Sequence, residues 1–261
     1  MRKFLYLKKI GLLLVFIWIV FYPNSIKITK NAIKEILFFP IKLVKPIPDK
    51  CWLHRVNSVE KMLELSDKYT GIEIDVNFNN IELFFDVTHE IEDSINLSLE
   101  EYFKYLNKND KKIWIDFKNL TEENVENSLE VLENIIFEYD VDKTRFIIES
   151  PNYEMLKFFK ERGYYTSYYV PYLDISNLNK EELKYWKNKI EYITLTGNVS
   201  AISFPSYLYL FIKSIGLKID LLSWEGGKEW ERLYLTKITR NMLKDEQLKV
   251  ILIMDIGNYS R

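Results

Sequence analysis

The chain has 261 residues, 48% hydrophobic and 28% charged, with a formal net charge of −2. That composition excludes wholesale disorder, and the length suits one large α/β barrel of ~250 residues or two small domains. A single cysteine, Cys51, excludes an intramolecular disulfide framework and a cysteine-based zinc site.

Residues 1–50 carry ten Lys/Arg against two Asp/Glu, which leaves 26 basic and 36 acidic residues for 51–261. An acidic body is a poor surface for a nucleic-acid backbone, so no nucleic-acid partner is expected. At the N-terminus Arg2, Lys3, Lys8 and Lys9 lead into thirteen uncharged residues, Ile10 to Tyr22. Counted from Phe4, with Lys8 and Lys9 snorkelling, the apolar run has nineteen residues, close to the ~20 that span a bilayer. No small-residue cleavage site follows Pro23, so residues 1–24 read as an uncleaved membrane-anchor helix, with a cleaved signal as the alternative. Residues 25–50 hold Ile36-Leu37-Phe38-Phe39 between Lys34, Lys42 and Lys45, the pattern of a basic amphipathic connector on a membrane surface. Lysines on both sides of the apolar run leave the membrane side undetermined.

From Cys51 onward short apolar runs alternate with helical patterns. Strands are predicted at 51–57, 71–78, 112–118, 144–149, 164–170, 190–196, 218–224 and 248–254. Helices are predicted at 58–68, 98–107, 121–138, 152–161, 179–188, 204–214 and 226–244, where apolar residues such as Leu129, Leu132 and Ile136 recur at helical spacing. Eight strands alternating with helices point to a TIM-type (β/α)8 barrel over 51–261; no final helix is predicted after the last strand, so either the basic segment before the first strand covers that gap or the barrel is slightly irregular. Polar residues at the C-terminal strand ends are then the place to look for chemistry.

Gly71-Ile72-Glu73-Ile74-Asp75-Val76-Asn77-Phe78 puts four apolar residues on one face and Glu73, Asp75 and Asn77 on the other. Two inward carboxylates repel in a low dielectric, so one is protonated or a cation lies between them; the alternative is a solvated polar face, uncommon in parallel barrels. Lys112-Ile113-Trp114-Ile115-Asp116-Phe117-Lys118 repeats the design. Asp116 could complete an oxygen set of the kind Mg²⁺ or Ca²⁺ prefers, and Lys118 could neutralise a phosphate or simply pair with Asp116. The chain's two histidines, His54 and His89, each follow a strand-like run, and two imidazoles can share acid and base duties. Asn57 could serve the site or cap the following helix, since Asn57-x-x-Glu60 has capping-box form.

The ordered set His54-x-x-Asn57, Glu73-x-Asp75, His89 and Asp116-x-Lys118 resembles the phospholipase C-like phosphodiesterase superfamily of TIM barrels, which includes glycerophosphodiester phosphodiesterases and sphingomyelinase D enzymes. His-Arg-Val-Asn-Ser together with Gly-Ile-Glu-Ile-Asp-Val is nearest to its menorin branch. The resemblance covers roughly residues 52–255, with its motifs confined to 54–118. It implies one divalent cation, Mg²⁺ or Ca²⁺, on Glu73, Asp75 and Asp116; a catalytic pair His54 and His89; and substrate contacts from Lys118, Asn57 and Trp224. Glu149, at the fourth strand's end, has a suitable place but no secure counterpart in the family, and a structural ion pair is an equal alternative. Where glycerophosphodiesterases show His-Arg-Gly, Glu-Asn and His-Asp, this chain has Val56, Asn57 and His89-Glu90, so reaction class is better supported than substrate.

The expected function is a metal-dependent phosphodiesterase, hydrolase or lyase, acting on a lipid-derived or envelope phosphodiester at a membrane. The rival is a membrane-tethered, non-catalytic barrel that binds a glycan, lipid or protein. A glycosidase using Glu73 and Glu149 leaves both histidines and Lys118 without a role.

Overall fold

The computed structural model describes residues 41–42, 47–106, 111–224, 234–235 and 237–254. The predicted anchor over 1–24 and most of the connector lie outside these residues. Among the described residues no helix is long and apolar enough to cross a membrane.

Nine strands make one sheet: β1 (Cys51–Leu53), β2 (Gly71–Asn79), β3 (Phe84–Asp86), β4 (Lys112–Phe117), β5 (Phe146–Ser150), β6 (Tyr165–Tyr169), β7 (Ala201–Pro205), β8 (Asp220–Trp224) and β9 (Leu248–Ile253). Eight of them run parallel in the order β1-β9-β8-β7-β6-β5-β4-β2, and Leu53 pairing with Ile72 closes the ring, as a TIM-type barrel requires. The ninth, β3, folds back antiparallel on the end of β2, pairing Phe78 with Phe85. Between the strands run α1 (Val59–Leu65), α2 (Leu99–Leu106), α3 (Val125–Glu138), α4 (Leu156–Glu161), α5 (Lys180–Leu195), α6 (Tyr209–Lys213) and α7 (Lys237–Lys244).

Strand alternation creates two cores. Ile72, Ile74, Val76 and Phe78 of β2, with Ile113, Ile115 and Phe117 of β4, face outward into the layer shared with the helices. Trp52, Trp114, Ile147, Leu222 and Val250 fill the barrel interior. Because both faces of each strand are covered, the carboxylates that alternate with the β2 isoleucines have no solvent to face.

One predicted element is corrected. Residues 190–196 are not the sixth strand; α5 continues through Leu195, and the strand is Ala201–Pro205. The branched residues of 190–196 have strand propensity, but burial falls on Ile190 and Ile193, three apart, and a capping box at Asn179 and Glu182 starts a sixteen-residue helix that runs on through them. The true strand is buried at every position and ends in proline, so it shows no alternation to read. The short β3 is a further element absent from the predicted strands. Its Phe85 lies edge-on to both Phe78 and Phe117, which fixes the hairpin against the barrel wall.

At the start of β2 a Cβ added to Gly71 would fall 2.3 Å from the Trp52 ring, which rests directly on this backbone. Gly71→Ala is therefore expected to lower stability by about 1–3 kcal/mol through overpacking, read as a lower denaturation midpoint at unchanged m-value. Shrinking the ring as well, in Gly71→Ala with Trp52→Phe, should recover part of the loss.

Candidate active site

The site is assembled where β1 ends. After Leu53 the chain stops pairing as a strand but stays hooked to both neighbours: the His54 N–H donates to the Ile253 carbonyl at 3.1 Å and the Val56 N–H to the Glu73 carbonyl at 2.8 Å. Arg55 makes the turn between them with φ +54°, a left-handed conformation that a non-glycine residue rarely adopts. Three side-chain bonds hold this turn: Lys61 Nζ to the His54 and Arg55 carbonyls, and Tyr102 Oη to the Val56 carbonyl. The turn aims the Arg55 N–H at Glu73 Oε2, 2.6 Å away.

Below it lie three buried carboxylates. One oxygen from each of Glu73, Asp75 and Asp116 falls within 4.8 Å of the others. Two carboxylates at that separation repel by about 3–4 kcal/mol at an effective dielectric of ~20. Lys118 partly relieves this, its Nζ lying 2.7 Å from Asp75 and 2.5 Å from Asp116. The pairing with Asp116 is the simple alternative raised by the sequence, here extended to Asp75. A single ammonium cannot balance three carboxylates, and the side chains show it. Burial pushes Glu73 well above the usual carboxylate range, and Asp75 and Asp116 push it further. Burial also raises Asp116, against the pull of Lys118. At Asp75 burial again works upward, but Lys118 and the Asn57 hydrogen bond outweigh it and hold that carboxyl low. The donors are hard oxygens, buried and short of positive charge, so the residues fit a divalent cation of the Mg²⁺ or Ca²⁺ kind.

Both histidines border this cluster. His54 Nε2 is 3.7 Å from Glu73 Oε2, and its Nδ1 is buried with no hydrogen-bond partner among the described residues. Burial lowers its pKa to about 3, so the imidazole is neutral. His89 lies three residues beyond β3. Both of its nitrogens are engaged, Nδ1 with Glu90 at 2.8 Å and Nε2 with the Arg55 guanidinium at 3.1 Å. Asn77 completes the inward row of β2 by donating to the Thr88 carbonyl, which anchors the loop carrying His89.

Asn57 is bonded twice to Asp75: its Nδ2 donates to Oδ2 at 2.7 Å, and its Oδ1 accepts from the Asp75 N–H at 2.9 Å. The helix cap falls instead to Ser58, whose Oγ accepts from the Lys61 N–H. Asn57→Ala is expected to cost about 1–3 kcal/mol of stability, because it removes one bond from the buried Asp75 carboxylate and one from the Asp75 backbone N–H; thermal denaturation of the two proteins checks it. Trp224 ends β8 and stacks on Tyr169, with ring centroids 4.9 Å apart and Nε1 donating to Tyr172 Oη. Glu149, next to last in β5, lies beside Asp116, buried, with Oε2 unpartnered among the described residues; burial first and the charge of Asp116 second raise its pKa well above the usual range.

The sequence reading overlooked Arg55 and Tyr102. The positive φ of Arg55 left no sequence signal, since the glycine that ordinarily marks such a turn is absent. Tyr102 reads as one more buried position of an amphipathic helix.

The fold is a TIM-type barrel of the kind seen in solved glycerophosphodiester phosphodiesterases. Among solved structures, the chain is similar to a glycerophosphodiester phosphodiesterase from Parabacteroides distasonis, at 15% identity over 80% of this chain and 94% of that one, with a TM-score of 0.53. It is also similar to a phosphodiesterase from Oleispira antarctica in complex with the product sn-glycerol-3-phosphate, at 11% identity over 79% and 92% of the two chains, TM-score 0.53. No protein-family model and no curated protein sequence matches the chain.

Proposed function

We propose that the chain is a metal-dependent phosphodiesterase acting on a lipid-derived or envelope phosphodiester, tethered to a membrane by residues 1–24. The observation that carries this reading is the convergence of Glu73, Asp75 and Asp116 within 4.8 Å, bordered by a neutral His54 and by Lys118. The fold shared with glycerophosphodiester phosphodiesterases supports the same reaction class.

Glu73, Asp75 and Asp116 would hold one Mg²⁺ or Ca²⁺, which when bound supplies Lewis-acid stabilisation of a phosphoryl oxygen. Lys118 adds a fixed positive charge where negative charge grows in the transition state. His54, neutral and bordering the carboxylates through Nε2, accepts the proton of the attacking hydroxyl, from water or from the substrate itself. His89, held at Nδ1 by Glu90, would take a proton from solvent at Nε2 when Arg55 bonds the phosphate in place of the ring, and give that proton to the leaving alkoxide. Asn57 keeps Asp75 oriented, and Trp224 with Tyr169 offers a flat apolar wall to the substrate's organic part.

The test is turnover by the full chain of bis(4-nitrophenyl) phosphate and of a lysophospholipid, with Mg²⁺ or Ca²⁺ and then with chelator. Cleavage that chelation abolishes and added metal restores is the expected result. Cleavage indifferent to chelation would overturn the metal dependence, and no cleavage of any phosphodiester would leave a binding barrel.

A further inference from the structure

The barrel has a second opening at the end opposite the carboxylates. A cavity of about 1130 Å³ lies across the N-terminal ends of β1, β2, β4, β5, β6, β8 and β9. In barrels of this type that end ordinarily serves stability. Its floor is the lower layer of the inner core, Trp52, Ile147, Leu222 and Val250. Its rim carries six cations, Lys50, Lys68, Lys111, Lys112, Arg145 and Lys249.

Only three acids oppose them, Asp49, Asp67 and Asp220. Asp220 is already engaged, accepting from Tyr165 Oη at 2.8 Å and lying 3.6 Å from Lys249 Nζ. In a body with 26 basic and 36 acidic residues over 51–261, a net-positive cavity is a local reversal of charge. Backbone carbonyls fix several of the cations in place: Lys50 Nζ donates to Asp245, Lys111 Nζ to Tyr69 and Arg145 Nε to Lys111. Those carbonyl acceptors are neutral and orient the side chains, while Asp67 acts electrostatically on Lys111. The chain's own residues 1–46 are a poor occupant, since they carry nine Lys/Arg against Glu35 alone.

We propose that this cavity is a second binding site, separate from the carboxylate cluster, for a phosphate-bearing ligand. Its anionic group meets the lysine and arginine rim, and its apolar part rests on Trp52 and its neighbours. The same chemistry is offered by a soluble phosphate ester and by the headgroup of an anionic lipid.

The test uses the full chain and Lys68→Glu/Lys112→Glu, two exposed positions. Phenyl phosphate and inorganic phosphate are titrated by calorimetry without divalent metal, and hydrogen exchange locates the bound phenyl phosphate. Wild type is expected to bind phenyl phosphate more tightly than inorganic phosphate, with protection at residues 67–70 and 111–112. The double variant should bind phenyl phosphate at least about tenfold more weakly. A parallel arm measures partition to phosphatidylcholine vesicles with and without phosphatidylglycerol. A comparable drop in the variant on the anionic vesicles assigns the site to a lipid headgroup, and an unchanged partition assigns it to a soluble ester. Absence of phenyl phosphate binding in wild type, equal binding in a folded variant, or protection confined to residues 73–75 would overturn the proposal. Hydrogen exchange on wild type decides alone if the variant does not fold.

Discussion

Asp75→Asn is expected to abolish stoichiometric divalent binding, weakening affinity for Mg²⁺ or Ca²⁺ by about two orders of magnitude or more. Asp75 is the carboxylate held ionised by Lys118 and Asn57, whereas burial and its neighbours drive Glu73 toward the neutral form. Removing its charge therefore takes away the most fully ionised of the three oxygen donors. Outer partners of metal ligands alone typically account for ~10–100-fold in affinity, so loss of a ligand should exceed that. Calorimetry gives the binding constant directly, and thermal denaturation gives an independent reading. At a metal concentration ~100 times Kd, a ligand bound only by the folded state adds about 2.7 kcal/mol. For a domain of this size that raises Tm by about 5–10 °C. Wild type should show the rise and Asp75→Asn should not. A wild type whose Tm ignores both metals would remove the carboxylate cluster as a cation site.

His54→Ala should lower phosphodiester turnover by about 10²–10⁴-fold, the usual share of a positioned acid or base, while metal affinity changes little. The split matters because His54 touches Glu73 without being one of the three carboxylates. Turnover surviving in the variant would remove the two-histidine mechanism. His54 also makes a prediction about stability. Its folded pKa, about 3, lies below the ordinary 6.5 because burial disfavours the charged ring. Between these values the unfolded chain binds a proton that the folded chain does not, so stability is full above about pH 6.5 and falls as pH drops toward 3. The slope from this one residue approaches 1.4 kcal/mol per pH unit, about the free energy of one pKa unit. Denaturation curves of wild type and His54→Asn across pH 4–7 should diverge toward neutral pH as the wild-type histidine sheds this penalty. Parallel curves would show that His54 is not held neutral.

Much of the site was legible because a parallel barrel imposes a period of two on residues that chemistry makes conspicuous. Glu73 and Asp75 alternate with Ile72, Ile74 and Val76, and the structure places the apolar set in the outer layer and the carboxylates inside. Asp116 was legible by the same alternation in β4, and its register opposite Asp75 brings the two together. Asn57 was visible as a polar residue near the site, but nothing in its neighbourhood said that it would clamp Asp75 instead of capping α1. The sixth strand failed for the opposite reason. Ala201–Pro205 is buried on both faces and gives no alternation, while Ile190 to Thr196 offered branched residues whose helical burial only packing reveals.

Local chemistry and periodicity thus determined the barrel class, the inward carboxylates and the pair of histidines, since each depends on residue type and spacing within one strand or its next loop. Distances between elements were decided by closure of the barrel. Closure draws Lys118 onto two carboxylates, strains Arg55 into a left-handed turn that points its N–H at Glu73, and leaves both nitrogens of His89 occupied. It also gathers six cations from the starts of five strands around one cavity in an acidic protein. Net charge is a sum over the whole chain and carries no positions, so a patch of the opposite sign becomes visible only when the strand ends meet in space.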